Sequence, residues 1–118
     1  MYKYNCIIKR IVDGDTVDVD IDLGFGVWMN SQRVRIAGVD APETRTRDLE
    51  EKAAGLESKA FVESLLPVGS KQTLISKEYN STGKYGRIIG TFELYDAGKD
   101  AWSDLSKMLL ESGHADTY

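Results

Sequence analysis

Apolar and polar residues alternate along the first forty positions and then switch to a wider spacing. Tyr2 to Val12 reads as a strand with mixed alternation, and Asp13-Gly14-Asp15 supplies a tight turn. From Thr16 to Leu23 the alternation is clean. Val17, Val19, Ile21 and Leu23 share one face and Asp18, Asp20 and Asp22 the other, the period of two that an extended chain imposes. Gly24 and Gly26 mark the next turn. Arg33 to Val39 predicts a third strand, with Arg33 and Arg35 on one face and Val34 and Ile36 on the opposite one. Pro42, which has no amide hydrogen to give a sheet, ends it.

A helix is expected next, with Asp48 as N-cap and Glu51 three residues on. Leu49, Ala53, Leu56, Ala60 and Leu65 are expected to form its apolar face, and Pro67 and Gly69 to end it. Lys71 to Lys77 and Arg87 to Leu94 predict two more strands, joined by a polar loop from Glu78 to Gly86. A short helix from about Ser103 to Ser112, capped by Gly113, closes the sequence. The expected class is mainly β with helices (α+β). Its expected architecture is a five-stranded Greek-key barrel of the OB type, residues 1–118 forming one domain, with one helix between strands 3 and 4 and a short C-terminal helix. Such barrels recurrently bind oligonucleotides, but a fold does not by itself fix a function.

Composition changes this picture by exclusion. The 118 residues are 42% hydrophobic and 29% charged, an ordinary globular balance. The one histidine, His114, excludes a histidine metal cluster and a two-histidine phosphodiesterase, and it reads as a helix-end residue. The one cysteine, Cys6, can form no internal disulfide and cannot hold zinc alone. It reads as a small buried side chain, and a reducing compartment is expected. The N-terminus lacks the apolar run of a secretory signal, and no stretch approaches the ~20 apolar residues of a membrane span. A cytoplasmic location, no membrane partner and a monomer are expected. The net charge of −4 argues against a protein that coats nucleic acid, because phosphate affinity rests on lysine and arginine. An enzyme needs only a local basic cleft.

Any bound metal must therefore be held by oxygen, which selects calcium or magnesium. Asp18, Asp20, Asp22 and Gly24 suggest a calcium loop, but the sixth and twelfth positions are Leu23 and Met29, where that loop needs glycine and glutamate. Asp15, Asp40 and Glu43 form the better set. Asp15 sits in a turn before a strand, and Asp40 ends a neighbouring one. Spacing alone favours, by a little, reading Asp15 as a turn residue and Asp40 as a strand cap. Arg35 and Arg87 add two planar forks that match phosphate oxygens.

Three segments together carry a family resemblance: Val12-Asp13-Gly14-Asp15-Thr16, Arg33 through Glu43, and Lys84-Tyr85-Gly86-Arg87. In order and spacing the sequence resembles the staphylococcal nuclease family over nearly its whole length. The resemblance implies a calcium-dependent endonuclease on an OB-type barrel, acting on DNA and RNA and leaving 3′-phosphate and 5′-hydroxyl ends. It implies that Asp15 and Asp40 ligate calcium, with a backbone carbonyl from Ala41, where the best-known members have threonine. Glu43 would orient or deprotonate the attacking water, Arg35 and Arg87 would bind the scissile phosphate, and Lys84 and Tyr85 would contact a terminal phosphate. Members commonly continue into a third helix, whereas this sequence stops at Tyr118. Two other readings stand beside this one. One is a non-catalytic nucleic-acid- or protein-binding module, which typically loses some of these carboxylates or arginines. The other is an accessory protein whose metal only stabilises the barrel.

Overall fold

The computed structural model describes residues 2–80 and 86–118. Its elements run β1 (Tyr2–Asp13), β2 (Thr16–Asp22), β3 (Trp28–Ile36), β4 (Val39–Asp40), α1 (Leu49–Leu65), β5 (Lys71–Asn80), β6 (Arg87–Asp96), β7 (Ala101–Asp104), α2 (Leu105–Glu111) and β8 (Asp116–Thr117). The main sheet has the order β3-β2-β1-β5-β6-β7. A parallel pairing of β3 with β6 (Val34 opposite Ile88) closes it on itself. Five strands thus close into a mixed barrel with β7 added on β6, the α+β barrel the hydropathy pattern predicts.

Closure works because the inward face of each strand is apolar. Val17, Val19 and Ile21 meet Val34 and Ile36 from β3, Ile8 and Ile11 from β1, Leu74 from β5 and Phe92 from β6, all buried. Val62 and Leu66 cover this core from the α1 side and Leu105 and Leu109 from the α2 side. Removing a leucine or isoleucine of this set to alanine should cost about 2–5 kcal/mol. No helix among the described residues is long and apolar enough to cross a membrane.

Several expectations are corrected. The third strand stops at Ile36, because Gly38 adopts a left-handed φ of +76° and turns the chain. Val39 and Asp40 then pair with Thr117 and Asp116 in a separate two-stranded ribbon. Glu78 to Asn80, expected in a loop, continue β5 opposite Ile89 to Arg87. Leu23 is exposed rather than inward.

The expected apolar face of α1 is also displaced. Leu49 and Leu56 are 79% and 49% exposed, and the buried positions are Gly55, Ser58 and Val62. Small side chains face inward here because backbone from two other segments lies against the helix. Asp48 does cap α1, accepting from the amides of Glu50 and Glu51, but its own amide is bonded to the Thr46 hydroxyl and not to Glu51. His114 follows the end of α2, its amide bonded to the Leu109 carbonyl, and its ring stacks on Phe61 with centroids 4.3 Å apart.

Candidate active site

Two loops meet at one end of the barrel. The Asp13–Asp15 turn joins β1 to β2, and residues 41–48 lead from β4 into α1. Hydrogen bonds join them: the Ala41 amide donates to Asp15 Oδ2 (2.9 Å), and the Thr44 hydroxyl and amide donate to Asp13 Oδ1 (2.7 and 3.2 Å). The Asp15 carbonyl in turn accepts from the Ile36 amide. Helix α1 lies against both loops. A Cβ on Gly55 would collide with the Glu43 carbonyl oxygen and come within 3.0 Å of the Pro42 oxygen. A Cβ on Gly14 would strike Ser58 Oγ and sit 3.1 Å from the Ala41 Cβ. The absence of side chains at Gly14 and Gly55 therefore sets the position of the 41–43 backbone. The Ser58 hydroxyl at this contact is buried without a hydrogen-bond partner among the described residues.

Three of the expected residues converge. Arg35 lies opposite Thr16 in the β2–β3 ladder, which aims its guanidinium at the neighbouring Asp15. One terminal nitrogen, Nη2, lies 3.4 Å from Asp15 Oδ2 and 3.5 Å from Asp40 Oδ1. The other, Nη1, donates to the carbonyls of Ile36 and Val39 at 3.1 and 2.8 Å. Asp15 is buried and also accepts from the Thr16 hydroxyl, whereas the Asp40 side chain is 64% exposed. The Tyr118 ring packs over the guanidinium, 5.4 Å from centroid to Cζ.

Glu43 and Arg87 stand apart from this corner. Glu43 is exposed and lines a small cleft of about 270 Å³ with Arg10, Arg33 and Arg45. Arg87 is exposed at the start of β6 and lines a second cleft, of about 720 Å³, with Arg33, Asp18 and Tyr79. Lys84 and Tyr85 lie outside the described residues. A further depression of about 630 Å³ beside Trp28 and Trp102 contains none of the expected site residues.

Residues 33–118 match the sequence model of the family described as staphylococcal nuclease homologue. The chain belongs to that family. Among individual relatives, it is 26% identical over 121 residues to endonuclease YhcR of Bacillus subtilis (strain 168), covering 98% of this chain and 9% of that protein. It is 29% identical over 90 residues to a thermonuclease of Staphylococcus intermedius, covering 76% of this chain and 49% of that one. Protein ParB of Escherichia coli is 32% identical over 84 residues, 71% of this chain and 38% of its own length. The chain thus spans half or less of each of these relatives.

Within this staphylococcal nuclease homologue, the donor chemistry at the corner fits a hard cation. Two carboxylates flank a single nitrogen, and one is largely open to solvent, which suits an ion that takes only oxygen ligands. No group of three or more histidine, cysteine, aspartate or glutamate side chains is arranged to hold a metal among the described residues. The protein would therefore supply Asp15, Asp40 and backbone oxygen, leaving the remaining positions to water or substrate.

Sequence reasoning missed several contributors. Arg33 shares a face with Arg35 by simple alternation and could have been included. It pairs with Asp18 (Nε to Oδ1, 2.9 Å), and this bond holds its guanidinium pKa above its ordinary value. Gly55 carried a signal too, since a glycine inside a helix is about 1 kcal/mol worse than alanine and invites a packing reason. Tyr118 carried none, because only the β4–β8 pairing brings it to Arg35.

Proposed function

We propose that the chain is a calcium-dependent endonuclease that hydrolyses phosphodiester bonds of DNA and RNA, leaving 3′-phosphate and 5′-hydroxyl ends. The observation that carries this reading is the convergence of Asp15 and Asp40 on one nitrogen of Arg35 in a chain of the staphylococcal nuclease homologue family. Two of the relatives named above bear nuclease names.

In this reading Asp15, Asp40 and the Ala41 carbonyl would hold the cation, which would supply Lewis-acid chemistry at a phosphoryl oxygen of the substrate. Glu43 holds a water in line with the P–O5′ bond and takes its proton as the new P–O bond forms. The P–O5′ bond breaks on the opposite side, and the 5′-oxygen leaves as a hydroxyl after taking a proton from solvent. Arg87, with no ion-pair partner among the described residues, is free to grip the phosphoryl oxygens. Arg35 places a second positive charge beside them. Lys84 and Tyr85 are assigned to a terminal phosphate by the motif alone.

The test is cleavage of plasmid and of labelled single strands with added calcium, with and without chelator, for wild type and Glu43→Gln. Cleavage that stops with chelator and drops sharply in the variant is expected, with ends that a kinase can label without prior phosphatase. Equal cutting after chelation would remove the metal role. Binding without turnover would favour the non-catalytic module.

A further inference from the structure

The arginines are unevenly distributed over the surface. The strand registers place Arg10 (β1) opposite Asp18 (β2), and Asp18 opposite Arg33 (β3). The parallel pairing of Val34 with Ile88 then sets Arg33 beside Arg87 (β6). Val34 and Ile88 point into the core, so Arg33 and Arg87 face outward. Four adjacent strands thus carry a transverse row of Arg10, Asp18, Arg33 and Arg87. Arg33 lines both the Glu43 cleft and the Arg87 cleft, which makes the two clefts one continuous surface, and Arg45 lies at its Glu43 end.

We propose that Arg10, Arg33 and Arg45 together with Arg87 form a track that binds the sugar-phosphate backbone of a polynucleotide on both sides of the bond to be cut. The proposal rests on the nuclease reading for its account of which strand is bound and why.

Charge complementarity carries it. The chain as a whole has net charge −4, yet this surface sets four guanidinium groups against the carboxylates of Asp13, Asp18 and Glu43. Asp18 is paired with Arg33, and Asp13 accepts from the neutral Thr44 and keeps its charge, so four cations face three anions. Arg10, Arg45 and Arg87 have no ion-pair partner among the described residues. The side-chain type is selective as well, since no lysine lines either cleft among the described residues. Arginine is the cation whose planar fork matches phosphate oxygens two at a time. Reach is adequate: three strand spacings span roughly 14 Å, enough to contact more than one phosphate of a strand. The track thus makes a long strand a better substrate than a dinucleotide, through binding and not through the chemical step.

The experiment measures binding of a fluorescein-labelled 20-nucleotide oligothymidylate by anisotropy in chelator, across a salt series. It also measures calcium-supported cleavage of that oligomer and of a dinucleotide. The double variant Arg10→Ala/Arg45→Ala should bind the oligomer about tenfold more weakly, with its salt slope reduced by about 1.4, at ~0.7 per lost contact. Its rate on the dinucleotide should fall less than its rate on the oligomer. Lys52→Ala/Lys71→Ala removes the same charge outside both clefts and should change oligomer binding less than about twofold. If the alanine pair unfolds, Arg10→Lys/Arg45→Lys keeps the charge, loses the fork and should still bind several-fold more weakly. Unchanged oligomer binding in the arginine variants, equal weakening in the lysine control, or no binding by wild type overturns the track. Weakened binding with no cleavage by any protein leaves the track standing and defeats the nuclease reading. Dinucleotide cleavage with unaltered oligomer binding does the reverse.

Discussion

The Asp15–Arg35–Asp40 corner and the surface that carries Glu43 and Arg87 are built in opposite ways. In the corner, Arg35 donates to two backbone carbonyls and leans on two carboxylates, and Asp15 accepts from the Ala41 amide and the Thr16 hydroxyl. On the surface, Glu43, Arg10, Arg45 and Arg87 are exposed and have no ion-pair partner among the described residues. The corner is fixed by folding, whereas the surface keeps its hydrogen-bonding capacity for a ligand. Polar groups already satisfied stabilise the protein, and those left in water can be spent on a substrate at small cost to stability.

The sharpest way to break this contrast is Arg87→Ala. It should lower the rate of cleavage on the order of 10³-fold or more, while the melting temperature stays within about 2 °C, because an exposed side chain without a partner contributes little to folding. A large loss of stability would show that Arg87 belongs with the corner.

Asp15→Ala should show the opposite profile. It leaves the Ala41 amide without its acceptor in a buried place and strips Arg35 of one carboxylate. About 2 kcal/mol should be lost, lowering the melting temperature by roughly 5–10 °C. Activity should fall by about 10²-fold as well, since in the proposed mechanism Asp15 would hold the cation and its removal would weaken electrostatic stabilisation of the transition state. Unchanged stability in thermal unfolding would place Asp15 among the open groups.

The division bears on what the sequence could reveal. The barrel was legible because its inward positions alternate: Val17, Val19, Ile21, Val34 and Ile36 are identifiable from period alone, and all are buried. The approach of Arg35 to Asp15 was foreshadowed by the meander, in which consecutive strands are neighbours, whereas Asp40 arrives on the separate β4–β8 ribbon. The helix face was not legible. Hydrophobicity pointed to Leu49 and Leu56, yet close backbone approach chose Gly55 and Ser58, and a pattern of apolar residues cannot report a contact made by glycine. The β4–β8 ribbon was equally invisible, since it pairs two-residue segments from distant parts of the chain and no period can develop over two residues.

Gly55→Ala tests the seam between the two halves, and two effects oppose each other. Alanine is the better helix former by about 1 kcal/mol. Its Cβ would, however, collide with the Glu43 carbonyl oxygen, and overpacking of this kind costs about 1–3 kcal/mol. Net stability should drop by no more than about 2 kcal/mol. The rate should drop roughly tenfold, because small displacements of a catalytic group are expensive in rate. A variant more stable than wild type with full activity would show that the 41–43 backbone tolerates movement.

Cys6 gives the smallest effect and a reporter remote from both halves. It lies on β1 opposite Ile21 of β2 and Gln72 of β5 with its side chain in the core, and burial pushes its thiol pKa from the ordinary 9.0 up to about 12. The unfolded chain therefore releases this proton at a lower pH than the folded one. The stabilisation is fully present below pH 9.0 and disappears as the pH rises toward about 12. Melting curves between pH 7 and 10.5 should fall more steeply for wild type than for Cys6→Ala; parallel declines would mean that the thiol titrates freely in the fold. At pH 8 a disulfide reagent should label the wild-type thiol only as fast as the chain opens, because the folded thiol is almost wholly protonated. Labelling should remain slow in Arg87→Ala and speed up in Asp15→Ala, since only the latter weakens the fold as a whole. Equal labelling rates in the two variants would erase the distinction between a corner that stabilises the protein and a surface that contributes little to folding.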